Sequence, residues 1–243
     1  MSEFDYSWNA LVKPGHSESY FDPKLREPFQ ADVADYSPVN AWWLCELSRL
    51  VYRQSQKERQ QILSEVGLCE SEVFSKGCNF CSLIVSDNDA DARFAVLVFR
   101  GTSGFEGWFS NLNALQSPWS EGGMVHTGFR NDFSKLWEDI EPALSEQNLP
   151  VFYTGHSLGG AFATLAASKR KPDAVYTFGS PKVGDAVFAE SVKNIPIYRI
   201  VNNRDIVATV PPSVIPFDFC HTGELRLLLS ANGQNKQSKI PVF

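Results

Sequence analysis

Apolar and polar positions along this chain follow two different periods, and the change from one to the other divides it. Up to about Tyr36 neither period holds, and the segment reads as an extended, proline-punctuated arm. Ser37-Pro38 then offers an N-cap with proline at the first helical position, and Val39, Trp43, Leu47, Leu50 and Val51 recur at helical spacing. This pattern predicts a packed helix. A second, more polar helix is predicted from about Lys57 to Val66, stopped by Gly67. SLIVS (82–86) and RFAVLVF (93–99) are short apolar runs on either side of the Asp/Asn-rich DNDADA, so they predict a hairpin whose second strand runs straight into RGTSG. Phe129, Phe133, Leu136, Trp137, Ile140 and Leu144 predict an amphipathic helix that ends near Asn148 and Pro150. Beyond it come VFYTG, a small-residue helix from about Gly159 to Lys169, AVYTFGS and IPIYRIVNN. Strands separated by helices predict an α/β fold with a central, mostly parallel sheet flanked by helices on both faces.

The junction between VFYTG and the small-residue helix carries the first chemistry. Gly155-His156-Ser157-Leu158-Gly159 is a G-x-S-x-G at a strand-to-helix turn. In that context the serine sits on a sharp, strained turn that only small neighbours tolerate, with its hydroxyl projected above the sheet. The helix adds the positive end of its dipole beneath any negative charge that forms there. Ser157 is therefore the candidate nucleophile.

A serine hydroxyl needs a base, normally a histidine oriented by a carboxylate. The chain has four histidines. His16 lies in the arm, His156 adjoins the serine on a turn that aims it elsewhere, and His126 is expected to be a buried structural residue. His221 follows the proline-rich VPPSVIPFDF and comes last, which makes it the candidate base. Asp205 stands just past the strand IPIYRIVNN, where groups in open α/β sheets gather outside the strands' carboxyl ends. Asp218, close to His221 in sequence, is the rival acid; Asp173 and Asp185 are read as loop or cap residues. The order Ser157, Asp205, His221 is that expected of an α/β-hydrolase fold with a nucleophile elbow.

Length and composition add limits. At 243 residues the chain can bury one large core, and it is read as one domain, 1–243, with residues 1–36 as an arm and 226–243 as an unassigned tail. A formal net charge of -6 speaks against nucleic acid as a partner. The first residues lack a basic region followed by an apolar run, and no apolar stretch reaches membrane-span length. These features favour a cytoplasmic or otherwise intracellular protein, with leader-independent export as the alternative. Five cysteines are too few to imply a disulfide framework. Cys78-Asn79-Phe80-Cys81 is a C-x-x-C with no second pair to complete a metal site, and is read as ordinary packing. Trp42 and Trp43 are read as core, and Lys169, Arg170 and Lys171 as the basic last turn of a helix.

Taken together, NAWWLCELSRLVY, VLVFRGTSGFEGWFSNL, VHTGF, VFYTGHSLGGAFATLAA, TFGSPKVGDAVFA, IYRIVNNRDIVATVPP and HTGEL resemble, in order, the class 3 lipases, the family of the filamentous-fungal triacylglycerol lipases. The resemblance implies the same triad, and makes Thr102 an oxyanion-hole residue with Leu158 supplying the other backbone N–H. It implies hydrolysis of lipid esters without metal or organic cofactor. It also implies a short helical lid at 104–112, whose Phe105, Trp108 and Phe109 would cover the site in water and meet a lipid–water interface when open. Here Asn111-Leu112 stands where the fungal lid has Asp-Leu. The alternatives are a phospholipase A1 or a soluble short-chain or aromatic esterase, and, from another class, a silent lipase-like binding module. Oligomeric state is not legible.

Overall fold

The structure is a computed structural model, and it describes residues 19–33, 35–89, 92–101, 115–202 and 218–228. Its first helix, α1 (Pro38–Leu50), starts as the pattern predicts: Ser37 Oγ accepts the Asn40 N–H and proline occupies the first turn. Unlike an amphipathic surface helix, it is buried on all sides from Asn40 to Leu50. The arm explains this, because it packs over the face that the sheet leaves open. Phe21 lies against Trp42 and Trp43, Phe29 stacks on Phe94 at 3.9 Å, and Trp43 Nε1 donates to the Glu27 carbonyl. Both tryptophans are thus core residues.

The polar α2 (Gln56–Ser64) leads through Gly67, at φ 72°, into a seven-stranded sheet. Its strands are β1 (Leu68–Lys76), β2 (Asn79–Ser86), β3 (Ala95–Phe99), β6 (Val151–His156), β7 (Ala174–Phe178), β8 (Ile197–Asn202) and β9 (Glu224–Leu228), in that spatial order. The pairs β1/β2 and β2/β3 are antiparallel, and every pair from β3 to β9 is parallel. The predicted hairpin is present in register Ser82↔Val98 to Val85↔Ala95. A separate small ribbon, β4 (Gln116–Pro118) and β5 (Met124–His126), precedes α3 (Thr127–Ser145). The remaining helices are α4 (Leu158–Lys169) and α5 (Ala186–Ser191).

Alternate side chains of the central strands feed two cores. Cys81, Leu83, Leu97, Phe99, Tyr153 and Val175 pack with α3 and α4, whereas Phe80, Ile84, Val96, Val98, Phe152 and Tyr176 pack with α1 and the arm. Burial on both faces is why these strands read as continuous apolar runs. The C-x-x-C straddles the start of β2: Cys78 is exposed, Cys81 is buried, and all five cysteines are free thiols. Strand β9 occupies Glu224–Leu228, so residues 226–228, taken with the unassigned tail on sequence, belong to the sheet. Among the described residues no helix is long and apolar enough to cross a membrane, and no cluster of metal-ligating side chains occurs.

Candidate active site

Parallel β6 ends at His156, α4 begins at Leu158, and Ser157 alone makes the turn between them at φ 56°, ψ -125°. This conformation is costly for a residue with a side chain. It persists because the turn is held from several sides. Ser157 N–H donates to the Phe178 carbonyl of β7, and its own carbonyl accepts the Gly160 N–H at 2.9 Å. Glycine is needed around it for close approach. A Cβ on Gly155 would overlap the backbone of Gly159, and one on Gly159 would overlap the Phe99 carbonyl at the end of β3. Helix α4 can therefore press its first turn against two strand ends. Leu158, at its first position, has a backbone N–H with no intrahelical acceptor.

Ser157 is 1% exposed, and its Oγ has no hydrogen-bond partner among the described residues. Beside it runs the exit of β3, where a Cβ on Gly101 would stand 3.4 Å from Ser157 Cβ and 2.6 Å from the His156 carbonyl oxygen. The residue expected to offer the second oxyanion donor, Thr102, is next in the chain and lies outside the described residues, as do Phe105, Trp108 and Phe109 of the expected lid. Asp205 also lies outside them, three positions beyond the end of β8 at Asn202.

His221 is described. It sits between Cys220, whose N–H donates to the Gly184 carbonyl at 2.7 Å, and β9. Gly184 in turn bridges Val125 of β5. His126 N–H donates to the Val183 carbonyl, so three chain segments lace together just ahead of His221. Here too glycine is required, since a Cβ on Gly184 would come within 2.5 Å of the Met124 carbonyl oxygen. The structure therefore joins Ser157, Leu158 and Gly101 at one point, and anchors the His221 segment to the loop that leaves β7.

His126, Asp173 and Asp185 take the structural roles expected of them. His126 is buried, caps α3 and accepts the Phe129 N–H on Nδ1. Asp185 caps α5 through the Phe188 N–H, and Asp173 accepts the Val151 N–H. Asp218, the rival acid, is exposed, and its carbonyl accepts from Gln116 Nε2. His156 turns away from the serine: its Nδ1 lies 3.0 Å from the Tyr52 hydroxyl. Burial lowers its pKa to about 4, so at neutral pH it carries no charge beside the nucleophile. Tyr52 went unremarked on sequence because its partner lies 104 residues away, and no local spacing marks such a pair.

The model of the family described as lipase (class 3) matches residues 96–215, a span that contains Thr102, Ser157 and Asp205. A lipase of Rhizopus niveus is 37% identical over 145 residues, covering 52% of this chain and 36% of that protein. A secreted mono- and diacylglycerol lipase of Fusarium solani is 36% identical over 153 residues, covering 57% of this chain and 44% of that protein. The chain thus spans less than half the length of either curated relative. Among solved structures, lipase II from Rhizopus niveus superposes with a TM-score of 0.63 at 29% identity, covering 80% of this chain and 78% of that one.

One expectation is overturned by these relatives. The intracellular placement drawn from the missing leader pattern does not stand beside a similar lipase that is named as secreted. The physical reason is that an address is written in a separable segment, so neither free thiols nor the first residues of a hydrolase domain carry it. The elbow, the mostly parallel sheet and the ordered set of motifs agree with these matches: residues 96–215 match the class 3 lipase family, and the chain has the α/β-hydrolase fold of the fungal lipase on which it superposes.

Proposed function

We propose that the protein is a serine carboxylester hydrolase that cleaves lipid esters, triacylglycerol or other acylglycerols, through an acyl-enzyme on Ser157. The observation that carries this reading is the elbow itself. A serine held at positive φ between a parallel strand and a helix N-terminus, with its Oγ hydrogen-bonded to no described group, is set up for attack rather than for support. The lipase and acylglycerol lipase relatives agree with it.

In the proposed reaction Ser157 Oγ attacks the ester carbonyl carbon while His221 takes its proton and Asp205 holds the imidazolium. The oxyanion accepts N–H bonds from Leu158 and Thr102. Collapse of the tetrahedral intermediate expels the alcohol, which leaves with the proton from His221. Water then attacks the acyl-enzyme, giving its proton to His221, and Ser157 is regained as the fatty acid departs. Every bond change is served by groups of this chain and one water.

Fluorophosphonate labelling tests the reading. The wild type should be labelled and Ser157→Ala should not; an unlabelled wild type would make the chain a silent lipase-like module. Emulsified triacylglycerol, phospholipid and p-nitrophenyl esters of graded chain length then assign the substrate class. Turnover confined to short soluble esters would exclude the lipase reading and leave an esterase.

A further inference from the structure

Three chain segments converge on one hydroxyl. Tyr52 lies just past the C-cap of α1, Gly101 at the exit of β3, and His156 at the end of β6, immediately before Ser157. The Gly101 backbone N–H bonds to Tyr52 Oη, and Oη lies 3.0 Å from His156 Nδ1. Gly101 and His156 are both buried. The approach is close enough that a Cβ on Gly101 would overlap Oη.

Direction follows from counting donors. Oη already accepts the Gly101 N–H, and His156 Nδ1 gives its proton an acceptor only if that nitrogen is unprotonated. The arrangement that gives the tyrosine proton an acceptor runs from Gly101 N–H to Tyr52 Oη, then from Tyr52 O–H to His156 Nδ1, with the imidazole proton on Nε2. Burial keeps both partners in the forms this requires, raising the tyrosine and lowering the histidine. From the other side Arg100 fixes the same strand exit, its guanidinium 4.7 Å over the Phe80 ring and donating to the Cys78 carbonyl.

We infer that Tyr52 is a positioning residue for the hydrolytic reaction: its hydroxyl ties the β3 exit, which leads directly into Thr102, to the elbow that carries Ser157. The inference rests on the proposed function in taking Thr102 as an oxyanion donor. An oxyanion hole built from two separate chain segments works only if their spacing is set before the charge forms. The helix N-terminus supplies one N–H and β3 leads to the other, and the Tyr52 hydroxyl bridges the two segments. Without it, Gly101 loses an acceptor in a buried place and the spacing relaxes.

Tyr52→Phe keeps the ring and removes the bridge. Its kcat on p-nitrophenyl butyrate should fall about ten- to a hundredfold, because small misplacements of catalytic groups cost on that order, while KM stays nearly constant. Hydrogen exchange of the Gly101 amide should accelerate in parallel. In the wild type, 15N NMR of His156 should find Nδ1 unprotonated and Nε2 protonated, a readout that stands even if the variant fails to fold. Unchanged kcat and unchanged Gly101 exchange would overturn the inference, as would a protonated Nδ1. If the wild type fails to react with fluorophosphonate, the hydrolase reading falls separately, since the exchange and tautomer readouts do not depend on turnover.

Discussion

His156 stands next to the nucleophile, and its titration bears on stability. Its pKa near 4 comes from burial, which disfavours the imidazolium. An unfolded histidine titrates near 6.5, so between about pH 6.5 and pH 4 the unfolded chain binds a proton that the folded one refuses. Stability is therefore highest above pH 6.5 and declines as pH falls through this window, by an amount approaching about 3 kcal/mol at its lower end. His156→Asn keeps an acceptor where Nδ1 stood and removes the titration. Urea unfolding at pH 7.5 and pH 4.5 should show the wild type losing about 2–3 kcal/mol more than the variant. Equal losses would mean that His156 becomes protonated in the folded protein. The neighbour's role was partly legible, because a turn that projects Ser157 must aim the preceding side chain elsewhere. Its destination was not legible, since Tyr52 reaches it only through the packing of α1 on the sheet.

Among the elements, α2 is the least able to hold itself in place by burial, since only Arg59 and Leu63 are buried along it. Arg59 instead anchors the helix electrostatically. Its Nε and Nη2 lie 2.9 and 3.0 Å from the two carboxylate oxygens of Glu70 on β1, and Ser82 Oγ of β2 donates to Glu70 at 2.8 Å. Arg59→Met would leave a buried carboxylate without its cation and should cost about 3–5 kcal/mol, whereas adding Glu70→Leu should restore much of that. Chemical denaturation of the two variants decides it; a cost below about 1 kcal/mol for the single change would show that the pair does not hold α2. The same contrast explains which elements could be read. Helices α1 and α3 and the series β2, β3, β6, α4, β7, β8 bury their apolar residues, so their patterns are strong. β1 is an edge strand whose alternation is broken by a bulge between Glu70 and Glu72. In β9, Leu225 and Leu227 are 45% and 49% exposed, so its apolar positions face the wrong way for a core strand. The ribbon β4/β5 and the six-residue α5 are too short to show a period.

At the scale of the whole molecule, the sequence-local part of the site was legible and the assembled part was not: G-x-S-x-G announces Ser157, whereas the approach of Gly101 to it needs β3 and β6 to pair in parallel. That pairing also frames the segment 102–114. The segment begins where β3 exits beside Ser157, and the described chain resumes at Leu115, next to Gln116, whose side chain bonds the Asp218 carbonyl just ahead of His221. The described residues on either side of it, Gly101 and Gln116, therefore lie at the nucleophile and at the segment that carries the expected base. The expected lid residues Phe105, Trp108 and Phe109 fall within this segment, outside the described residues, and large apolar side chains on a surface are stable only against a partner. Replacing all three with Ser separates a lid from a local core. Loss of an interface contact should lower turnover of emulsified triacylglycerol by an order of magnitude or more while hydrolysis of soluble p-nitrophenyl butyrate stays near the wild-type rate. Equal losses on both substrates, with a lowered unfolding midpoint, would place the trio in the core instead. A soluble ester needs no apolar docking surface, so only the contrast between the two substrates isolates the step at which the protein meets an insoluble one.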